Sequence, residues 1–314
     1  MSGRFRCAAA AAAIDEPRYA TASTVRRWVL IEQPGPWGVN ALRESRLPAA
    51  TAEALVDLGK RLSARILLIR RTAAWSSDDC RVYVAHTGPR SRWLESFTLA
   101  TPHAVLDLDL DPLRRGVTVG GRTVEHPLLL VCTNGRHDPC CAEFGRPVAA
   151  ALSSAFGDLV WEVSHIGGDR FAGNVVTLPD GIYYGGLDPD RAVAVATAHL
   201  AGEIDLDAYR GRSAHPFVVQ AAEWFLRHER GVVGLDAIRW TGRHALAEDA
   251  WRITFATPSG AVTVDVAVGR DDDARQLTCR TQQLARPPRY ELLDLRPAAV
   301  GAQPSPGTSS ADTA

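Results

Sequence analysis

The most constraining stretch of the sequence runs from Pro127 to Val163. Pro127 to Val131 is a continuous apolar run leading straight into Cys132, as expected of a buried strand. A polar loop, Thr133 to Arg146, follows, and Pro147 stands where a first helical residue is expected. Val148, Leu152 and Phe156 then recur at steps of four on one helical face. Leu159 to Val163 is the next apolar strand and ends at Ser164-His165. About 25 residues including a helix join the two strands, which calls for a parallel pair with a right-handed crossover. Cys132 and His165 therefore leave the sheet at the same end, where ligands are found in open α/β sheets.

The rest of the chain is arranged around this unit. Gly167-Gly168 marks a special backbone conformation, and Asn174 to Leu178 and Ile182 to Tyr184 flank Pro179-Asp-Gly181, a hairpin signal. Arg191 to Ala201 reads as a helix, so the order is strand, helix, strand, loop, strand, strand, helix. Upstream, Val29 to Ile31 is a strand ended by Pro34-Gly-Pro-Trp-Gly38, and Leu55, Leu58 and Leu62 predict a helix over Ala52 to Ala64. Ile66 to Ile69, Arg81 to Ala85 and the alternating Val105 to Leu110 are further strands. Downstream, a helix over Phe217 to Arg227 precedes strands at Ala237 to Trp240, Trp251 to Phe255 and Val262 to Val268, with a turn at Thr257-Pro-Ser-Gly260. The expected organisation is an N-terminal α/β unit over 1–124, a second α/β unit over 125–205 and an α+β extension over 213–297. Residues 298–314, rich in Ala, Pro, Ser, Gly and Thr without periodicity, are expected to form a disordered tail.

Charge narrows the range of partners. With 35 Lys+Arg against 36 Asp+Glu there is no electrostatic footprint for nucleic acid or an anionic membrane. No apolar run approaches the ~18 residues of a membrane span. Six cysteines in 314 residues are too few for a disulfide scaffold. Arg4 and Arg6 ahead of Cys7 to Ile14 imitate the order of a signal peptide, but alanine is weakly apolar and Asp15-Glu16-Pro17 follows at once. The expectation is a cytoplasmic protein. Gly-x-Gly-x-x-Gly follows none of the strands, so a dinucleotide site is unsupported.

Chemistry concentrates in Cys132-Thr-Asn-Gly-Arg-His-Asp-Pro-Cys-Cys141 and Ser164-His-Ile-Gly-Gly-Asp-Arg-Phe-Ala-Gly-Asn174. Thiolate and imidazole are good ligands for zinc, copper and iron–sulfur iron. The spacing is neither a zinc finger nor a Cys-x-x-Cys dithiol. Any one of these cysteines can equally be a small buried apolar residue. Cys7, Cys80 and Cys279 have no mutual spacing and default to structural thiols. Arg136 and Arg170 flank the segment either as charge compensators or as solvated loop residues, and Trp37 is expected in the core.

Cys132 with Asp138 and Cys141, Ser164-His165-Ile-Gly-Gly168 and Phe171-Ala-Gly-Asn174 resemble the sucrase/ferredoxin-like family. The resemblance is strongest over about residues 125 to 187, and Glu16-Pro17 and Pro34-Gly-Pro-Trp-Gly38 resemble its bacterial branch. It implies a thioredoxin-like ferredoxin domain over 125–205, a [2Fe–2S] cluster, and electron exchange with a redox partner protein acting as donor or acceptor. The family pattern of two cysteines and two histidines, carried over by position, makes Cys132, Cys141 and His165 ligands and puts Asp169 where the second histidine belongs. A carboxylate there lowers the reduction potential relative to a two-histidine site. For the fourth ligand Asp169 ranks first, Cys140 second and loss of the cluster third, with His137 a further candidate on the loop. The alternatives are a structural zinc site on Cys132, Cys141, His165 and Asp169, and a thiol-based redox protein using Cys140 or Cys141. Sucrose hydrolysis requires two carboxyls across a scissile bond, and the sequence supports no such pair.

Overall fold

The computed structural model describes residues 4–72 and 79–298, so the predicted tail, apart from Ala298, lies outside the described residues. In chain order the elements are α1 (Cys7–Ala13), β1 (Arg27–Glu32), α2 (Ala41–Glu44), α3 (Ala49–Leu62), β2 (Arg65–Arg70), β3 (Cys80–Thr87), β4 (Arg92–Leu99) and β5 (Arg122–Thr123). There follow β6 (Leu128–Cys132), α4 (Pro139–Phe156), β7 (Val160–Val163), β8 (Val175–Leu178), β9 (Ile182–Tyr184), α5 (Pro189–Leu200) and β10 (Tyr209–Arg212). The C-terminal segment holds α6 (Phe217–Arg230), β11 (Arg239–Ala247), β12 (Ala250–Thr257), β13 (Gly260–Arg270), β14 (Arg275–Gln276), β15 (Leu284–Ala285) and β16 (Pro288–Pro297).

This is an α/β protein. Ten strands form one sheet in the order β10-β9-β8-β6-β7-β2-β1-β3-β4-β5, and β11-β12-β13-β16 form a second, antiparallel sheet. The expected parallel pair is present, with Leu129 opposite Val160 and Cys132 opposite Val163. On the other side of β6 lies the antiparallel β8–β9 hairpin. Antiparallel pairing of Ile69 with Val163 joins β2 to β7, so both α/β units share one sheet.

That sheet curls around its own inner face. Trp28, Leu30, Tyr83, Leu130, Trp161, Val176 and Tyr183 pack there as one cluster. The outer face is covered by α3 through Leu55, Leu58 and Leu62, and by α4 and α5 through Val148, Leu152 and Val195. Each such side chain contributes about 1.5–3 kcal/mol by leaving water. Among the described residues, no helix is long and apolar enough to cross a membrane.

Three expectations change. Val105 to Leu110 is not a strand: Pro102–Asp107 and Asp111–Arg115 are 3-10 turns, each with a proline in its first turn. The neighbouring strand is β4, hidden in the sequence because polar Glu95 and Ser96 are buried; Glu95 accepts the Val119 N–H at 2.8 Å. The helix expected from Pro147 starts at Pro139 instead, with the Asp138 carboxylate accepting the Cys140 N–H at 2.9 Å. Asp-Pro is an N-cap followed by a prepaid first position, and Pro147 inside the helix forgoes one backbone bond. Cys140 and Cys141 are thus helical rather than loop residues. In the C-terminal sheet the sequence also concealed β16, whose flanking prolines are tolerated because it lies at the sheet edge.

Candidate metal centre

Each half of the centre is set at a strand end. Cys132 closes β6, and its backbone N–H donates to Asn174 O at 3.0 Å, tying the strand to the far end of the following loop. The chain turns through Asn134, whose carbonyl accepts the His137 and Asp138 N–H groups, and enters α4 at the Asp138 cap. Cys141 in the first turn faces Cys132, and one turn later Gly145 allows α4 to lie against β6. A Cβ on Gly145 would fall 2.1 Å from Cys132 O, so only glycine fits.

The second half is the loop after β7. Gly167 and Gly168 both have positive φ, 92° and 83°. Asn174 Nδ2 donates to Gly168 O at 2.8 Å. Beneath them lies Arg210, which is fully buried. Its Nη1 donates to Gly167 O at 3.0 Å and Asn174 Oδ1 at 2.8 Å, and its Nη2 donates to Thr21 O at 2.6 Å. A Cβ on Gly168 would meet that guanidinium at 2.1 Å.

The donor atoms converge. One ligand atom each from Cys132, Cys141 and His165 lies within 4.8 Å of the others, and the same holds for His137, His165 and Asp169. Asp169 Oδ1 is 3.4 Å from Cys141 Sγ and 3.4 Å from His165 Nδ1. The His137 ring stacks on His165 with centroids 3.5 Å apart. His165 Nδ1 is buried and makes no hydrogen bond among the described residues, because its approach to Asp169 lacks hydrogen-bond geometry. A buried nitrogen without a partner costs about 1–3 kcal/mol, a debt that a metal bond would remove.

Electrostatics distinguish the members of the group. The Cys141 thiol, His165 and the Ile166 N–H hold Cys132 well below the ordinary thiol range, against the opposing effect of burial. Cys141 shifts far upward because it keeps the shared proton beside Cys132, in a buried position facing Asp169. Burial raises the Asp169 carboxyl. Burial lowers Arg210 to about 10, which leaves it a cation at neutral pH close to Asp169 and Cys132.

The sucrase/ferredoxin-like family profile matches residues 18–211, more than half of the chain. The chain belongs to the sucrase/ferredoxin-like family. No curated protein and no solved structure matches it. Cys132, Cys141, His165 and Asp169 all fall within the family segment, whereas Cys7 and Cys279 lie outside it.

Two residues of this family member depart from the arrangement expected around them. Cys140 turns away from Cys132: its Sγ lies 3.7 Å from that of Cys7 and 3.5 Å from that of Cys279. Arg170 is not solvated; it pairs with buried Glu16 at 2.8 Å and lies over the Phe171 ring. Trp37 is in the core, with Nε1 donating to Gln33 O at 3.0 Å. Sequence reasoning missed Arg210 and Thr278. Arg210 is one of two arginines in the buried strand Tyr-Arg-Gly-Arg, an inward charge that signals a buried polar network without naming its partners. Thr278 reaches the centre from the C-terminal extension, where no local signal exists. Its hydroxyl lies 3.0 Å from Asp138 Oδ2 and 3.5 Å from Asp169 Oδ2.

Proposed function

We propose that the protein is an iron–sulfur electron carrier that holds a [2Fe–2S] cluster on Cys132, Cys141, His165 and Asp169 and exchanges electrons with a redox partner protein. The observation that carries this reading is the convergence of two buried thiols, a carboxylate and an unpartnered imidazole nitrogen where the parallel strands β6 and β7 end. Soft sulfur with imidazole suits iron–sulfur ligation, and bound there the cluster supplies one-electron redox chemistry. The order β6, α4, β7, β8, β9, α5 supports reading this half as a thioredoxin-like ferredoxin domain. Asp169 is favoured as the fourth ligand because it touches both Cys141 and His165, while the Cys140 thiol is engaged with Cys7 and Cys279.

The surrounding residues have roles of their own. The Ile166 backbone helps to lower the Cys132 thiol, and so the basicity of a thiolate ligand there. Buried Arg210 offsets negative charge at the centre and fixes the loop that carries His165 and Asp169. The test is iron and acid-labile sulfide on anaerobically purified, reconstituted protein, together with its visible spectrum. The expected result is about two irons and two sulfides per chain, lost in Cys132→Ala and Cys141→Ala. Zinc at these residues without sulfide would replace this reading with a structural zinc site. Absence of both metal and sulfide would leave the strongly shifted Cys132 thiol as the basis for thiol chemistry.

A further inference from the structure

Three cysteines that share no sequence pattern meet at a second point. Cys7 Sγ lies 3.7 Å from Cys140 Sγ and 3.5 Å from Cys279 Sγ, and Cys140 Sγ lies 3.5 Å from Cys279 Sγ. They come from α1, the first turn of α4 and the segment after β14, with the outer two 272 positions apart in sequence. All three are free thiols at these separations, far beyond the ~2.05 Å of a disulfide. The Asp138 carboxylate completes the group, with both oxygens 3.8 Å from Cys7 Sγ.

We infer that Cys7, Cys140, Cys279 and Asp138 form a mononuclear zinc site, separate from the centre at Cys132. Tetrahedral zinc with Zn–S bonds of about 2.3 Å places its sulfurs about 3.8 Å apart, close to the spacing of this triangle. The thiols sit in an apolar cluster with Ala8, Phe144 and Ala172, but a carboxylate enters it. Asp138 is fully buried there, accepting N–H groups from Cys140 at 2.9 Å and Cys279 at 2.9 Å. One further N–H group points at sulfur: Cys7 N donates to Cys279 Sγ at 3.3 Å. Backbone donors aimed at sulfur stabilise the thiolate form that zinc requires.

The site gives the C-terminal extension a purpose. A metal here ties residues 7 and 279, both outside the family segment, to the helix that presents Cys141. It also fixes Thr278, which bridges Asp138 and Asp169. The zinc is therefore a structural clasp over the neighbouring centre.

The test is metal analysis of the full chain as purified, with zinc-edge X-ray absorption on the unmodified protein. About one zinc per chain with three sulfur neighbours near 2.3 Å is expected, falling at least about tenfold in Cys7→Ser and Cys279→Ser but retained in Cys132→Ala and Cys141→Ala. Cys279 is part-exposed, so Cys279→Ser is the variant least burdened by folding, and circular dichroism checks that it folds. Any of four results overturns the inference: no metal with three alkylatable thiols, a disulfide among Cys7, Cys140 and Cys279, iron bound to this triad, or zinc that follows Cys132 instead. Loss of the zinc in Cys279→Ser with iron and sulfide fully retained would overturn the clasp role.

Discussion

Replacing Arg210 by methionine tests whether one buried cation holds the loop that carries His165 and Asp169. The guanidinium has no exposure to solvent, and three carbonyl-type acceptors depend on it: Gly167 O, Asn174 Oδ1 and Thr21 O. Methionine fills much of the same volume but donates nothing, and water has no route to the acceptors left behind. Orphaned buried acceptors cost about 1–3 kcal/mol each, and relief of the guanidinium's own desolvation argues for the lower end, so the expected loss is about 3 kcal/mol. Urea unfolding followed by tryptophan fluorescence reads this loss, with Arg210→Lys recovering part of it because a single ammonium cannot reach all three acceptors. Amide exchange should accelerate over residues 165–174 well beyond the global change, and the iron retained after reconstitution should fall. A loss below about 1 kcal/mol, or exchange unchanged in that loop, would refute the claim that Arg210 positions it.

On the proposed cluster, Asp169→His would supply a second imidazole and should raise the reduction potential in protein-film voltammetry; an unchanged or lower potential would remove Asp169 from the proposed ligand set. The protein should also be acid-labile. Burial holds His215 below its ordinary value. Burial alone would raise Glu223, but Arg227, the His215 hydrogen bond and Arg212 outweigh it and hold that carboxyl well below the carboxylate range. Both folded-state values lie below the unfolded ones, so the unfolded chain takes up more protons on acidification. Stability should therefore decline from about pH 6.5 and further below about pH 4.3. Glu223→Gln leaves Arg227 without its counter-charge at 3.0 Å and should cost about 3–5 kcal/mol near neutrality. Thermal melts from about pH 2.5 to 7.5 check both, and a variant whose acid limb overlays the parent's would refute the role of Glu223.

The parallel pair β6–β7 was legible because an apolar run, a helix-length connection and a second apolar run leave few alternatives. The meeting of Cys132 with His165 followed from that topology alone. The start of α4 was not legible, because two prolines eight residues apart, Pro139 and Pro147, both suit a first helical position, and only the Asp138 cap decides between them. The two cysteines beyond the family segment were illegible for a different reason. Cys7 and Cys279 meet only because α1 and the segment after β14 fold onto the same helix end, and no periodicity records such a contact. Arg210 belongs to the same class: its burial was foreseeable from the strand, but its partners at Thr21, Gly167 and Asn174 come from two distant loops.

The adjacent pair Cys140-Cys141 explains how one helix start serves two groups of thiols. Successive residues on an α-helix diverge by about 100°, so neighbouring thiols there cannot face one small site together. Cys141 faces Cys132 at the end of β6 and Asp169 in the loop after β7, and Cys140 faces α1 and Cys279. Asp138 holds both: its carboxylate accepts the Cys140 N–H at 2.9 Å, and its backbone carbonyl accepts the Cys141 N–H at 3.0 Å. A vicinal pair in a loop would have been free to converge on one metal or to form a strained disulfide. Placed in the first turn of a capped helix, the same two letters of sequence become the shared boundary of two separate thiol clusters.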